Sequence, residues 1–288
     1  MIRQVAFITS LLLLFSCGNQ ANSEQESAEE DHQQNSSTSS YQHEVFWNHQ
    51  DEFTTEQEDT LKLWIEDVKT ATENTLGVYP FDMHIFFYKS KNRNRPVSFG
   101  HTSRKNDVNE IHFYVNPQAS FEELRSDWTA PHEMSHLAIP FLGKKYKWFS
   151  EGFATYLSRR IMIDMGYFTE ASFDSMYVHR ITEAAAYYSN PVKSFAEVSK
   201  ELFDNYKYSA VYWGGAGFFY TVDKQLQEKH DMRFEDLLKA YLPVYRLKNK
   251  RLKSVVFSFD ELLGEPLFKE MVDRYETEPA LSVLELFR

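Results

Sequence analysis

Residues 131–156 read Pro131-His132-Glu133-Met134-Ser135-His136-Leu137-Ala138-Ile139-Pro140-Phe141-Leu142-Gly143-Lys144-Lys145-Tyr146-Lys147-Trp148-Phe149-Ser150-Glu151-Gly152-Phe153-Ala154-Thr155-Tyr156. The stretch opens on an HExxH pattern, His132 to His136, whose chemistry depends on being helical. Residues four apart share a helix face, with Cβ atoms roughly 6 Å apart, so two imidazoles can reach one ion. Glu133, one step further round, points beside that ion and can take a proton from a water held there. Pro131 suits the first turn of such a helix, and Ile139-Pro140 ends it soon after the second histidine. The pattern predicts a helix over about Trp128 to Ala138.

The chain has ten histidines, enough for a five-residue pattern to arise without function, so a third ligand decides the matter. A metzincin continuation needs glycine and histidine three and six residues after the second histidine. Those positions hold Ile139 and Leu142, and that reading fails. Instead, Lys147 to Tyr156 resembles the glutamate segment of aminopeptidase-N-like gluzincins and the related glycyl-aminopeptidase group, W-x-x-E-G-x-A-x-Y. Trp148, Glu151, Gly152, Ala154 and Tyr156 match every defined position. The resemblance implies a thermolysin-like zincin catalytic domain with Zn2+ held by His132, His136 and Glu151, a fourth position left to water, and Glu133 as general base. It places Glu151 at the start of a second helix packed on the first, with Thr155 one turn on as a partner for a metal ligand. The spacing from His136 to Glu151 is shorter than in the large aminopeptidases and reads as a trimmed loop. The bland alternative makes Glu151 a helix-start carboxylate favoured by the macrodipole, with Trp148, Phe153 and Tyr156 as core.

Tyr212-Trp213-Gly214-Gly215-Ala216 is similar to the Y-x-x-G-A stretch of the same families, where the tyrosine donates to the oxyanion. That implies a catalytic role for Tyr212, with Tyr208 one turn away as a rival, although Gly214 stands where the family usually has lysine. Aminopeptidases of this family also carry a G-x-M-E-N stretch upstream, whose glutamate holds the substrate's free amino terminus. The corresponding Val97-Ser98-Phe99-Gly100-His101-Thr102-Ser103 has no carboxylate, which favours an endopeptidase over a strict aminopeptidase. A strand there can still pair with an extended peptide, with Gly100 allowing close approach. His84 and His112 in strands and His179 in a helix read as structural, whereas His101 should lie near the cleft.

Outside these stretches the chain carries 31 basic and 42 acidic residues, a net charge of −11, with 16% aromatic residues and a single cysteine. That balance argues against a nucleic-acid partner, and one cysteine excludes a disulfide framework. Met1-Ile2-Arg3, the apolar run Val5 to Phe15, and Leu14-Phe15-Ser16-Cys17 resemble a bacterial lipoprotein signal. The expectation is an exported lipoprotein, anchored to a membrane through acyl chains on Cys17, with Gly18 resembling signals for the outer membrane. Residues 1–16 are then a signal peptide and 17–42 the lipidated cysteine with a polar tether. The acidic cluster Glu24 to Asp31 keeps that tether solvated.

Residues 43–288 form the zincin-like domain, with no internal repeat. It divides at about residue 140 into a sheet lobe bearing the HExxH helix and a helical lobe. Apolar periodicity predicts a helix from Thr54 to Leu76 with Gly77 as its cap. Phe81 to Tyr88, Pro96 to Ser103 and Asn109 to Val115 read as strands, with a turn at Asn106-Asp107. Helices follow over about Glu151–Asp164, Thr169–Tyr188, Ser194–Leu202 and Tyr208–Lys229. A small sheet followed by helices is an α+β pattern. The function this implies is zinc-dependent hydrolysis of a peptide or protein. The alternatives are a non-catalytic binding module on the same scaffold, or a zinc hydrolase acting on a non-peptide substrate.

Overall fold

A reciprocal pair of bonds between Thr54 and Gln57 caps the first helix, α1 (Thr55–Leu76). Its apolar face, Leu61, Trp64, Ile65 and Val68, is buried, and Gly77 ends it at φ 99°, a conformation that side chains disfavour. This computed structural model describes residues 43–47, 52–105 and 108–287. The targeting segment, Cys17, the tether and the Asn106-Asp107 turn lie outside the described residues.

Four strands follow the order β1-β2-β4-β3: β1 (His43–Trp47), β2 (Met83–Lys89), β3 (Val97–Lys105) and β4 (Val108–Val115). The pairs β1·β2 and β2·β4 are parallel, and β3 runs antiparallel to β4 as an edge strand. The sequence reading gives no strand at β1, whose five residues are too few to display a period. On the inner face Ile85, Phe87, Ile111 and Phe113 are buried, with Phe113 against Trp64 of α1 at 5.3 Å between ring centroids. On the outer face Phe46, Phe86, His112 and His101 stand in register and stack across all four strands.

The remaining α-helices among the described residues are α2 (Phe121–Ser126), α3 (Thr129–Leu137), α4 (Lys147–Asp164), α5 (Glu170–Ala185), α6 (Phe195–Asp204), α7 (Tyr208–His230), α8 (Phe234–Tyr245), α9 (Leu252–Leu263), α10 (Leu267–Thr277) and the single turn α11 (Ala280–Val283). This is the expected α+β arrangement. One start differs from the sequence reading: α4 begins at Lys147, so Glu151 lies in its second turn rather than at its head. Tyr146, which precedes α4, offers no side-chain cap. The helix is entered from a short 3-10 turn after Gly143 instead, and so carries no sequence-level start signal.

Two glycines set the spacing of the helical lobe. A Cβ on Gly152 of α4 would stand 2.2 Å from the carbonyl carbon of Gly215 in α7, and one on Gly215 would stand 2.1 Å from the Trp148 carbonyl oxygen. The two helices therefore meet backbone to backbone. Phe149 and Phe153 of α4 close the seam edge-on against Phe219 of α7. Gly214 is constrained as well, since a Cβ there would meet the Tyr188 ring at 2.6 Å. Any side chain there would have to displace that buried ring. Elsewhere α4 is tied down by Arg160, whose guanidinium bonds both oxygens of Glu170 at 2.6 and 3.0 Å and the buried carboxylate of Glu235.

Candidate metal centre

Helix α3 carries the HExxH residues and is almost wholly buried. The first N–H of the helix, that of Thr129, is taken up by the Asp127 carboxylate at 2.8 Å. Pro131 falls in the first turn, where its missing donor costs nothing. Pro140 prevents continuation, so the last carbonyls need partners from outside the helix. Three side chains supply them. The Tyr79 hydroxyl donates to Met134 O at 2.7 Å, Arg246 Nε to Leu137 O at 2.6 Å, and Arg104 Nη2 to His136 O and Ile139 O at 2.7 and 3.1 Å. Two cations at the negative end of the helix also favour its macrodipole.

The ligand atoms converge from α3 and α4. His132 Nε2 and His136 Nε2 are 3.2 Å apart, and Glu151 Oε2 is 3.4 Å from the first and 3.3 Å from the second. The other oxygen, Oε1, accepts from Lys147 Nζ at 2.9 Å, one turn back on α4. Among the described residues these three make the one His/Cys/Asp/Glu group able to share an ion.

A tetrahedral ion with bonds of about 2.0–2.1 Å needs donors roughly 1.6 times that distance apart, about 3.3 Å. The near-equilateral triangle meets that requirement. Its protonation states fit too. Burial lowers His132 to about pKa 4, leaving a neutral imidazole. For Glu151 burial works against ionisation, but His136 and His132 outweigh it and hold the carboxyl well below its ordinary range. Neutral imidazole and ionised carboxylate are the metal-binding forms.

Glu133 lies beside this triangle, its carboxyl pushed up to about 7 by burial. Gly100 of β3 closes over it, because a Cβ there would come within 2.9 Å of Glu133 Cγ and 2.7 Å of Thr129 Cγ2. Of the two candidate tyrosines, Tyr212 lies against the His132 ring, 5.7 Å between centroids. Burial raises its hydroxyl pKa, and the charges of Glu151 and Glu133 raise it further. Tyr208 lines the outer part of the same cleft, where it is 39% exposed. Thr155 is buried, but its hydroxyl oxygen has no hydrogen-bond partner, so the expected bond to a metal ligand is not made. Its backbone carbonyl instead accepts from Tyr177 at 2.8 Å.

These groups open on a cavity of about 600 Å³ walled by the edge strand at Phe99 to Thr102 and Arg104, by Ile139 to Leu142, and by Phe203 and Tyr208. His101 lines it, as its strand position implied. His112 instead bonds Tyr88 and Glu110 on the outer sheet face, and His179 pairs with Glu183 on α5. Glu133 and Glu151 are the carboxylates of the cavity wall.

The sequence reading missed Lys147 and Arg104. Lys147 is one helical turn before Glu151, a spacing visible once α4 is extended backwards. Arg104 shares the alternation of Gly100 and Thr102, but lies one residue beyond Ser103, where the sequence pattern ends the strand.

No protein-family model matches the sequence, and no curated protein matches it. In three dimensions the chain is similar to the M1 zinc metallopeptidase from Deinococcus radiodurans, at 14% identity and a TM-score of 0.50, over 82% of this chain and 48% of that one. A mutant of that peptidase bound to a Tyr-Ser-Ala substrate is matched at 12% identity and a TM-score of 0.50, with the same coverage. The chain therefore spans about half the length of these structures. At such identities the likeness is one of fold.

Proposed function

We propose that the chain is a zinc-dependent peptidase in which His132, His136 and Glu151 hold the ion and Glu133 is the general base. The observation that carries this reading is the triangle of donor atoms, 3.2–3.4 Å on each side, opening on a walled cleft beside a buried carboxyl. A bound zinc supplies Lewis acidity toward the substrate carbonyl and lowers the pKa of the attacking water. Glu133 takes the proton of that water and delivers it to the leaving amine. Tyr212 donates its hydroxyl hydrogen to the carbonyl oxygen as charge develops there. Lys147 holds Oε1 of Glu151 so that Oε2 remains turned to the imidazoles. The free edge of β3 offers backbone groups to an extended peptide, and Gly100 lets that strand approach Glu133 closely.

Endopeptidase activity is favoured over strict aminopeptidase activity, because among the described residues the cavity wall has no carboxylate beyond Glu133 and Glu151 to receive a free amino terminus. The test is zinc content by atomic spectroscopy together with hydrolysis of a mixed peptide library by the wild type and Glu133→Gln. The expected result is about one zinc per chain with turnover lost in the variant. Equal turnover, or no zinc, overturns the proposal. Comparing amino-blocked with free peptides separates the two peptidase classes. The lipoprotein reading of Cys17 is likewise a proposal, and absence of fatty-acid label on the wild type in metabolic labelling, with Cys17→Ser as control, refutes it.

A further inference from the structure

We propose that Arg104 is an anion subsite of the cleft, which receives a substrate carboxylate from an acidic side chain or from the peptide's C-terminus. The inference rests on the peptidase reading and gives it a substrate class. Arg104 lies on the edge strand and lines the cavity together with Gly100, Glu133 and His136. Its Nη2 is engaged by the carbonyls of His136 and Ile139. Its Nε is buried without a partner, and among the described residues neither a protein acceptor for Nη1 nor a carboxylate within ion-pair distance is present.

Buried arginines elsewhere in the chain are compensated. Arg160 has two glutamates. Arg159, whose Nε is likewise buried without a hydrogen-bond partner, lies over Trp128 at 5.3 Å, and Arg246 lies over Phe81 at 4.9 Å. Arg104 has neither a glutamate nor a ring, and it is the one of the four that faces the cleft. A partly buried cation without a counter-ion is costly, so an incoming anion recovers more there than at a solvated site.

A competing charge is Glu133, whose carboxyl acts on Arg104 through space but makes no ion pair with it among the described residues. Glu151 is engaged by Lys147 and the imidazoles, and Glu133 is held beneath Gly100. With Nη2 engaged and Nε buried, Nη1 is the donor left for an incoming carboxylate, and the charge shared over the guanidinium strengthens that single bond. Because Arg104 lines the same cavity as His132, His136 and Glu151, a carboxylate bound to it fixes the peptide's register along the cleft.

The experiment uses the zinc-loaded full chain and three amino-blocked peptides of one apolar sequence. One carries glutamine and a C-terminal amide, the second glutamate and an amide, the third glutamine and a free C-terminal carboxylate. The wild type is expected to favour at least one acidic peptide over the neutral one by roughly 10- to 100-fold in KM, the range of a charge-assisted hydrogen bond. The favoured arm identifies the source of the carboxylate. Arg104→Gln should bring that ratio to near unity whatever its absolute rate, and Arg104→Lys should retain part of it. Equal handling of all three peptides by the wild type, or an undiminished ratio in Arg104→Gln, overturns the proposal. If no peptide is cleaved, the peptidase reading fails on its own. The same ratios read as Kd, by fluorescence anisotropy of labelled peptides, then decide the role of Arg104.

Discussion

Replacing Gly152 by alanine adds one methyl group at the seam of α4 and α7, where it would stand 2.2 Å from the Gly215 carbonyl carbon and 2.5 Å from its oxygen. Unbonded carbons rest at about 3.5–4.0 Å, so the helices must part by more than about 1 Å. The obstacle is backbone, which has no rotamer to change. Overpacking of this kind costs about 1–3 kcal/mol, and a backbone wall places Gly152→Ala near the upper end. Alanine returns up to about 1 kcal/mol of helix propensity, leaving a net loss of about 2 kcal/mol. In a unit of this size that corresponds to a fall in Tm of about 4–8 °C.

The loss should also reach the metal, because Glu151 precedes the displaced residue and Tyr212 sits one turn before Gly215. Weaker zinc binding is therefore expected alongside the lower Tm. Thermal unfolding followed by circular dichroism, with and without zinc, measures both. Gly217→Ala on the same helix is the control, since its Cβ would meet only the side chains of Ile181 and Leu284, at 3.2 and 3.3 Å, and these can move. A Gly152→Ala protein that melts within 1 °C of the wild type and binds zinc as tightly would falsify the claim that this contact sets the spacing.

Four further outcomes follow from the same geometry. Arg160→Met leaves the Glu235 carboxyl buried without its partner and should cost about 3–5 kcal/mol in urea unfolding, much of it recovered in the Arg160→Met/Glu235→Met pair. A double variant no more stable than the single one would point to lost packing instead. Arg160 also holds the Glu170 carboxyl below its ordinary range. That contribution is complete above the unfolded carboxyl's value and disappears as pH falls through the folded one, so Arg160→Met should flatten the acid limb of the stability curve. Tyr212→Phe should lower kcat by roughly 10²–10³ with KM little changed, whereas Tyr208→Phe should not, and the reverse pattern would transfer the oxyanion role to Tyr208. Lys147→Met should weaken zinc binding by about tenfold in a chelator titration through loss of the bond that orients Glu151. Tighter binding would mean that the lysine's charge outweighs its positioning.

What the sequence made legible depended on how far apart the cooperating residues lie along the chain. The two histidines and Glu133 are bound by one helical period, so their joint presence can be read without any tertiary information. Glu151 needed only a second local pattern. Of the helix starts that the sequence reading places to within a residue, those at Thr54, Thr169 and Ser194 have a side chain that accepts a backbone N–H from the first turn, whereas those at Trp128 and Tyr208 have none and are read from apolar pattern and motif instead. The start that was misplaced, at Lys147, has none. Local hydrogen bonding writes itself into local sequence, and at Lys147 neither a cap nor a change of pattern marks the boundary.

The supports of the site were hidden for the opposite reason. Arg104 meets His136 across 32 residues and Arg246 meets Leu137 across 109, and nothing near either arginine in sequence announces a helix end in need of partners. The requirement itself was legible, since Pro140 stops α3 and strands its last carbonyls, but the donors that meet it could be named only once the sheet edge and α8 were in place. The missing carboxylate in β3 is of the same kind. Its absence could be read from Val97 to Ser103, yet what replaces it depends on which side of the edge strand faces the metal. That side carries Gly100, Thr102 and Arg104. A position vacant of negative charge is therefore followed, along the same strand, by a positive one. If substrate polarity is reversed relative to an aminopeptidase, the residue that reverses it lies one position beyond where the strand had been expected to end.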